Sequence, residues 1–275
     1  MNDVPSIASL PRRRFAAAAF IALALAGCAG APAPSVPPEA RAALAPTGTL
    51  RVAVYPGSPT SLVQQAAPEQ MRGVTVDLGR ALAQRLGVPA AIQVYPRQQE
   101  VLAAVQRGDA DFTITNATAE RMRVVDFAQP LVDLEQGLLV PPGSRVTAID
   151  AVDQAGVTLG VSQGSTSERV LGPRLKQAKL RTFPSLDAAA AALRAHEVEG
   201  YATNKGILFE LAERVPGSRV LDGRFGTEHL APAIPQGRPA ALAYLRTFTD
   251  EVRRSGELER ATQRAGLRGT VAPQP

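Results

Sequence analysis

Residues 110–130 read ADFTITNATAERMRVVDFAQP. The first part predicts a strand that ends at Thr115-Asn116, and a single arginine, Arg121, follows after about one helical turn. An arginine presents five N–H donors in a planar fork that can hold both oxygens of a carboxylate, and hydroxyl and amide groups such as that of Thr118 can complete the contacts. The segment therefore predicts a strand end that binds a carboxylate.

Strand and helix patterns alternate on both sides of this segment. Upstream they predict a strand at 50–54, a helix at 76–86, a strand at 92–94 and a helix at 98–107, before the strand at 111–115. After a break at Pro141-Pro142-Gly143, the same order recurs. It comprises a strand at 157–161, a helix from 166, a strand at 180–183, a helix at 186–195 and a strand at 200–203.

This repetition predicts an α/β fold of two lobes, each with a parallel sheet covered by helices on both faces. Helices at 238–254 and 257–265 complete the chain. The last strand of the second unit ends in Thr203-Asn204, matching Thr115-Asn116 in the first. Because ligands of open α/β sheets bind beyond the carboxyl ends of the strands, the two strand ends are predicted to face a polar cleft.

The N-terminal residues carry the marks of an export signal. Three arginines, Arg12–Arg14, precede an apolar run at 15–26 that is too short to span a bilayer. Residues 25–28, LAGC, resemble the bacterial lipobox, in which the cysteine is lipidated and becomes the mature N-terminus. Cys28 is the single cysteine of the chain. The arginines also look like a twin-arginine signal, which leaves the export route open.

The segments at the two ends of the predicted body have compositions of their own. Residues 28–47 are rich in proline and alanine, which predicts a tether between Cys28 and a folded body that begins near Gly48. Residues 1–27 are then the signal peptide, and residues 270–275 are predicted to be a short tail.

Composition argues against several classes of function. The formal net charge is +5, but Arg12–Arg14 contribute to it, and the remaining basic residues are scattered. Four tyrosines and no tryptophan are available to stack on bases, so nucleic-acid binding is not supported. Two histidines and one cysteine offer no metal-ligand cluster, and the sequence predicts neither a metal nor a cofactor.

One motif suggests catalysis instead. Residues 160–164, GVSQG, fit the G-x-S-x-G pattern of a nucleophile elbow between a strand and a helix. A serine hydrolase built on Ser162 would need His229, with Asp187 or Asp222 as the acid. Glu168, close to the same turn, could instead be a catalytic acid, although most carboxylates of this kind are solvated or cap helices.

The same turn also permits anion binding. Ser165 and Thr166 lie where a helix begins, so backbone N–H groups and hydroxyls could face a negative charge. Simple N-capping by either residue explains the sequence equally well. Tyr55, at the end of the first strand, and Tyr201 could form walls of the cleft, although tyrosines on strands more often pack in the core.

Landmarks along the body resemble the family 3 extracellular solute-binding proteins, the periplasmic receptors of polar amino-acid ABC importers. They are GTLRVAV at 48–54, GVTVDL at 73–78, GDAD at 108–111, ER with VDF at 120–127, GVSQGST at 160–166 and PAIPQG at 232–237. The resemblance implies a type II two-lobed binding protein with lobe 1 at 48–138 and 226–269 and lobe 2 at 139–225. The hinge crossings would fall near 138–140 and 221–225.

The resemblance also implies roles for individual residues. Arg121 would hold the ligand carboxylate, helped by Asn116, Thr118, Ser165 and Thr166, with no nucleophilic role for the serine of the elbow. The chain departs from the family pattern in two places. Asn204 stands where the family carries an acid for the ligand ammonium, and residues 58–60, SPT, stand where it carries an aromatic. These departures imply a carboxylate ligand without a free α-amine.

The expected function is that of an exported lipoprotein, anchored on the periplasmic side through Cys28, that is not an enzyme. It would bind a small carboxylate or amino-acid-like solute and deliver it to an ABC-transporter permease. Thr115, Asn204 and Tyr55 complete the expected ligand-binding set. One alternative is an enzyme on the same fold, either a serine hydrolase using Ser162 or a dehydratase using Glu168, since the resemblance extends to dehydratases. The other is a sensory or structural lipoprotein.

Overall fold

The computed structural model describes residues 36–63 and 67–271. The predicted signal peptide, Cys28 and the first part of the predicted tether lie outside the described residues. Within these two ranges, no helix is both long and apolar enough to cross a bilayer.

Helices and strands alternate along most of the described chain. The helices are α1 (Pro38–Leu44), α2 (Val74–Leu86), α3 (Gln98–Arg107), α4 (Thr166–Leu171), α5 (Leu186–Arg194), α6 (Lys205–Arg214), α7 (Pro239–Arg254) and α8 (Glu257–Arg264). The strands are β1 (Leu50–Val54), β2 (Ala90–Val94), β3 (Thr113–Asn116), β4 (Val125–Phe127), β5 (Val132–Val140), β6 (Thr158–Ser162), β7 (Lys179–Phe183), β8 (Gly200–Asn204), β9 (Arg219–Val220), β10 (Gly226–Pro235) and β11 (Thr270–Val271).

Local sequence signals set the ends of the predicted helices. Gly87 and Gly108 end α2 and α3 with φ of 64° and 74°, a left-handed conformation that glycine adopts without steric cost. Ser185 begins α5, where its side chain accepts a hydrogen bond from the Ala188 N–H. Pro239 occupies the first turn of α7, where a missing N–H costs nothing.

The strands confirm the α/β class but correct the predicted sheet topology. β1 pairs with β2 in parallel, and β6 pairs in parallel with both β7 and β8. The larger sheet has the order β3-β10-β5-β8-β6-β7, in which β5 and β10 run antiparallel to their neighbours. The prediction of purely parallel sheets is wrong because β5 and β10 carry the chain out to the second lobe and back.

The crossing strands also move the predicted lobe boundary. Leu134 and Leu230 belong to the core of the first lobe, whereas Leu138 and Phe225 pack in the core of the second. The chain therefore changes lobes within β5 after Leu134 and within β10 before Leu230. The crossings were predicted near residues 138–140 and 221–225, and the observed ones lie next to these residues, a few positions towards the first lobe.

Part of the predicted tether is folded. In α1, Ala40 and Leu44 are buried, and the helix packs on α7. Nη1 of Arg238 donates to the Ala43 carbonyl at 2.8 Å, and Nη2 of Arg41 donates to the Gly87 carbonyl at 2.9 Å. The tether prediction is wrong for residues 38–44. Ala40 and Leu44 are four residues apart, as on one face of a helix, but the prediction followed the high proline and alanine content of the segment. The predicted tail likewise begins with β11, which pairs with β5.

Candidate ligand-binding cleft

Arg121 is a buried cation that follows the carboxyl end of β3 after a short loop. It lies in a short 3-10 helix, Arg121–Arg123, and only 2% of its surface is exposed. Its Nη1 donates to Thr115 Oγ1 at 2.8 Å and to the Asn116 carbonyl at 3.3 Å. Both partners are neutral, and no carboxylate of the described chain forms an ion pair with this guanidinium. Thr115 and Asn116 therefore orient the arginine without neutralising it.

The Nε of Arg121 is a buried donor with no hydrogen-bond partner among the described residues. Leaving such a donor unsatisfied costs about 1–3 kcal/mol. Burial lowers the pKa of Arg121, and the carboxylate of Glu228 opposes that shift. Because an arginine side chain stays protonated in proteins, the cleft contains a positive charge with unused hydrogen-bonding capacity.

Two of the predicted neighbours have structural contacts of their own. The Oγ1 of Thr118 accepts a hydrogen bond from the Arg121 N–H at 3.3 Å and so caps the turn. The Oδ1 of Asn116 accepts from the His229 N–H at 2.8 Å, and its Nδ2 donates to Thr166 Oγ1 at 3.3 Å. Since Thr166 belongs to the second lobe, this last contact crosses the cleft.

The turn before α4 is closed by its own residues. Ser165 Oγ accepts a hydrogen bond from the Glu168 N–H at 3.2 Å, and Glu168 Oε2 accepts one from the Gly164 N–H at 2.6 Å. The N–H of Gly164 is thus already used. These contacts support the capping interpretation of Ser165 and give the carboxylate of Glu168 a structural role.

The serine of the G-x-S-x-G segment does not meet a histidine. Its hydroxyl forms a hydrogen bond of 2.6 Å with the hydroxyl of Tyr201. The Nδ1 of His229 lies 2.9 Å from Asp133 Oδ1, and Asp187 pairs with Arg214. Ser162 and His229 therefore have separate partners, and no base of the described chain contacts the Ser162 hydroxyl.

Glu228, on the crossing strand β10, is a buried carboxylate that the sequence analysis missed. Only 5% of it is exposed. Its Oε2 accepts a hydrogen bond from Asn204 Nδ2 at 2.9 Å, and its Oε1 accepts one from Gln136 Nε2 at 3.3 Å. The pKa of Glu228 is raised, because the effect of burial exceeds the opposing effects of the Arg121 charge and of the two amides. A buried carboxylate is thus hydrogen-bonded to Asn204.

A signal for Glu228 was present in the sequence. Alternate residues of β10 point to one face, so Glu228 shares a face with Leu230 and Ile234, both of which are buried. A carboxylate at an apolar position of a strand is uncommon unless it is paired or functional. The period-two pattern would have marked Glu228 as a candidate, but β10 was not among the predicted strands.

A small cavity lies where the lobes meet. Its volume is about 40 Å³, and Tyr55, Ser165, Thr203, Asn204 and Glu228 all contribute to its wall. Burial raises the pKa of Tyr55 to about 12, and that pKa is also influenced by the charges of both Glu228 and Arg121. The cavity thus brings together groups from the two lobes and from the crossing strand.

Other predicted site residues lie beside this cavity and not on its wall. They are Thr115, Asn116, Thr118, Arg121 and Thr166. The hydrogen bond between Asn116 and Thr166 lies in this part of the cleft, where the two lobes touch directly. A volume of about 40 Å³ holds only a few waters, so a larger ligand requires the lobes to separate.

Further contacts hold the lobes together. Nη1 of Arg97 donates to Gln163 Oε1 at 2.9 Å, and Arg169 Nε lies 3.0 Å from Glu120 Oε2. In each pair one residue belongs to the first lobe and the other to the second. The structure therefore represents a closed arrangement of the lobes.

Two α/β lobes joined by crossing strands around a polar cleft define the type II two-lobed binding-protein fold. The chain belongs to the bacterial extracellular solute-binding proteins, family 3, whose model matches residues 50–266. Proteins of this family act outside the cytoplasm.

Individual relatives agree with this assignment. A probable histidine-binding protein of Neisseria gonorrhoeae is 25% identical over 254 residues, which cover 89% of this chain and 91% of the relative. An ABC transporter glutamine-binding protein of Bacillus subtilis is 24% identical over 157 residues, 56% of this chain and 57% of the relative. An ancestral amino acid-binding protein, a precursor of cyclohexadienyl dehydratase, superposes with a TM-score of 0.70 at 25% identity, covering 81% and 97% of the two chains.

Proposed function

We propose that this protein binds a small amino-acid-like solute through its carboxylate in the interlobe cleft and delivers it to the permease of an ABC importer. The observation that carries the proposal is Arg121, a buried cation with an unsatisfied Nε and no carboxylate partner in the described chain. A carboxylate is the ligand group that satisfies both requirements, because it offers negative charge and paired acceptors to the guanidinium fork. The amino-acid-binding relatives support the class of solute.

Lobe closure is the proposed means of capture. The contacts Asn116–Thr166 and Arg169–Glu120 cross the cleft, and β5 and β10 connect the lobes. Separating the lobes would break these few polar contacts and leave both apolar cores intact. A few polar contacts between lobes that are joined by short connecting segments are typical of proteins that open and close by hinge motion.

Binding without catalysis is the activity that these contacts favour. Ser162 bonds to Tyr201, and Glu168 caps the turn before α4. Among the described residues, these contacts do not activate Ser162 as a nucleophile or Glu168 as a catalytic acid.

Thermal unfolding against a panel of metabolites tests the proposed function. The panel should contain the common L-amino acids, L-cystine and small mono- and dicarboxylates. A ligand at a hundred times its dissociation constant adds about 2.7 kcal/mol, which raises the midpoint by about 5–10 °C for a domain of this size. We expect at least one carboxylate-bearing compound to produce such a shift. If no member of the panel moves the midpoint, the proposed function is wrong.

We further propose that Cys28 carries a lipid that anchors the protein to the membrane. The support is the sequence at 25–28, and the start of α1 at Pro38 leaves nine residues, 29–37, between the cysteine and the folded body. In a bacterial host, Cys28→Ala is expected to abolish incorporation of labelled palmitate and to release the protein from the membrane fraction. Ala29→Gly, one residue away, is the matched control and should remain labelled. Persistent labelling of Cys28→Ala would contradict lipidation at this position.

A further inference from the structure

Two buried groups of opposite charge lie in the same cleft without pairing with each other. Arg121 is 2% exposed and Glu228 is 5% exposed, and neither forms an ion pair in the described chain. Each charge has lost most of its hydration, and the hydrogen-bond partners that replace water are neutral. Each charge acts on the pKa of the other, but no ion pair forms between them. A buried charge without a direct partner of opposite sign is costly, so a ligand that supplies that partner to each group would be favoured.

The orientation of Asn204 shows which atom it presents to Glu228. Its Oδ1 accepts a hydrogen bond from the Ile207 N–H at 3.1 Å and thereby caps α6. The Nδ2 group must then point the other way, towards Glu228 Oε2 at 2.9 Å. Because the capping contact fixes the amide, Glu228 Oε2 is an acceptor, as an ionised carboxylate requires.

The carboxylate of Glu228 keeps room for a further donor. An ionised carboxylate has about four acceptor sites, and two are used, by Asn204 on the second lobe and by Gln136 on β5. Gln136 Nε2 also donates to Ser167 Oγ at 3.3 Å, so that amide is anchored as well. Glu228 is therefore held in place by fixed amides and lies on the cavity wall with unfilled acceptor sites.

We propose that Glu228 on β10, and not the residue at position 204, receives the ammonium group of the ligand, while Arg121 receives its carboxylate. This inference rests on the proposed function and names the chemistry of the same site. It reverses the sequence-based expectation of a ligand without an α-amine. That expectation followed from the neutral Asn204, but Asn204 donates to a carboxylate that reaches the cleft from β10.

The inference predicts a preference that can be measured on the wild-type protein. The probes are L-glutamine, L-histidine and L-arginine, each compared with the desamino acid that has the same side chain and carboxylate. Calorimetric titration is expected to give an affinity at least about 30-fold higher for an amino acid than for its desamino acid, because the latter leaves Glu228 without a charged partner. Equal or tighter binding of the desamino acids, or binding of neither series, would overturn the inference.

Glu228→Gln tests the residue itself. The change keeps the size of the side chain but removes its charge, so amino-acid affinity should fall about 30-fold while desamino-acid affinity stays the same or rises. Glu197→Gln is the matched control, because Glu197 is half exposed and pairs with the exposed Arg181. Equal loss in both variants, or no loss in Glu228→Gln, would refute the role of Glu228.

A double variant distinguishes the effect of the negative charge on binding from an effect of the substitution on folding. In Asn204→Asp combined with Glu228→Gln, the acid moves to position 204, where its carboxylate can still cap the Ile207 N–H and accept from the new amide at position 228. Amino-acid selectivity is expected to return to within about tenfold of the wild type, since the cleft regains its negative charge. If the double variant stays as weak as Glu228→Gln although its unfolding midpoint is normal, the ammonium is not held by this charge.

The outcomes distinguish this inference from the proposed function. If the wild type binds carboxylates and Arg121→Ala abolishes that binding, but Glu228→Gln changes nothing, the solute-binding function stands and the ammonium site is refuted. If no carboxylate binds to the wild type, both fail.

Discussion

Replacing Arg121 by alanine is expected to lower the affinity for the carboxylate ligand about 100-fold or more. Truncating one partner of a buried charge pair costs about 2–5 kcal/mol, which corresponds to a factor of about 30 to several thousand. Arg121→Lys should retain part of the affinity, because an ammonium keeps the charge but cannot form the two parallel N–H bonds of a guanidinium. Calorimetric titration with the ligand found in the thermal panel measures both effects.

Arg123→Ala is the control for this prediction. Arg123 lies in the same 3-10 helix and carries the same charge, but it is exposed. Its removal should change affinity by less than about twofold, because screening by water and salt weakens a surface charge. If Arg121→Ala binds the ligand as tightly as Arg123→Ala does, the ligand carboxylate is held elsewhere.

Arg121→Ala should affect stability much less than binding. The substitution removes a desolvated cation whose hydrogen-bond partners, Thr115 and Asn116, are neutral. The same change deprives Glu228 of a nearby positive charge, which favours protonation of that carboxylate. A large loss of affinity with a nearly unchanged unfolding midpoint would therefore be the signature of a binding residue.

The sequence predicted those parts of the fold that local signals control. α3 has the predicted bounds, 98–107, because Gly108 supplies a left-handed end that few other residues allow. The crossing strands were missed because their pairing is not local. Gly226 of β10 pairs with Gln136 of β5, 90 positions earlier in the chain, and no short-range pattern indicates such a partner.

The same distinction holds for the cleft. Arg121 could be predicted because Thr115 and Asn116, which orient it, lie within six residues of it. The partners of Glu228 are 24 and 92 residues away, so its environment became visible only in the folded chain. Ser162 shows the converse case, because its motif is complete in sequence and yet its hydroxyl meets Tyr201, 39 residues later.

Asp111→Ala is expected to lower the free energy of unfolding by about 3–5 kcal/mol, the range for breaking a buried ion pair. The carboxylate is fully buried. Its oxygens accept two hydrogen bonds of 2.8 Å from the guanidinium of Arg51 and one of 3.2 Å from Arg238 Nη1. Arg51 lies on β1, Arg238 precedes α7, and Asp111 itself precedes β3. The Asp111 carboxylate therefore links β1 and α7 to β3, the strand that leads to Arg121.

Urea unfolding of Asp111→Ala and Asp109→Ala measures this effect with a matched control. Asp109 lies two residues earlier and pairs with Arg107, but both side chains are more than half exposed. Its removal should cost less than about 1 kcal/mol, as for other surface ion pairs. Asp111→Asn should resemble Asp111→Ala, because the amide loses the charge and turns an N–H₂ group towards the donors of Arg51. Equal midpoints for Asp109→Ala and Asp111→Ala would show that the Asp111 ion pairs do not contribute to holding β1, β3 and α7 together.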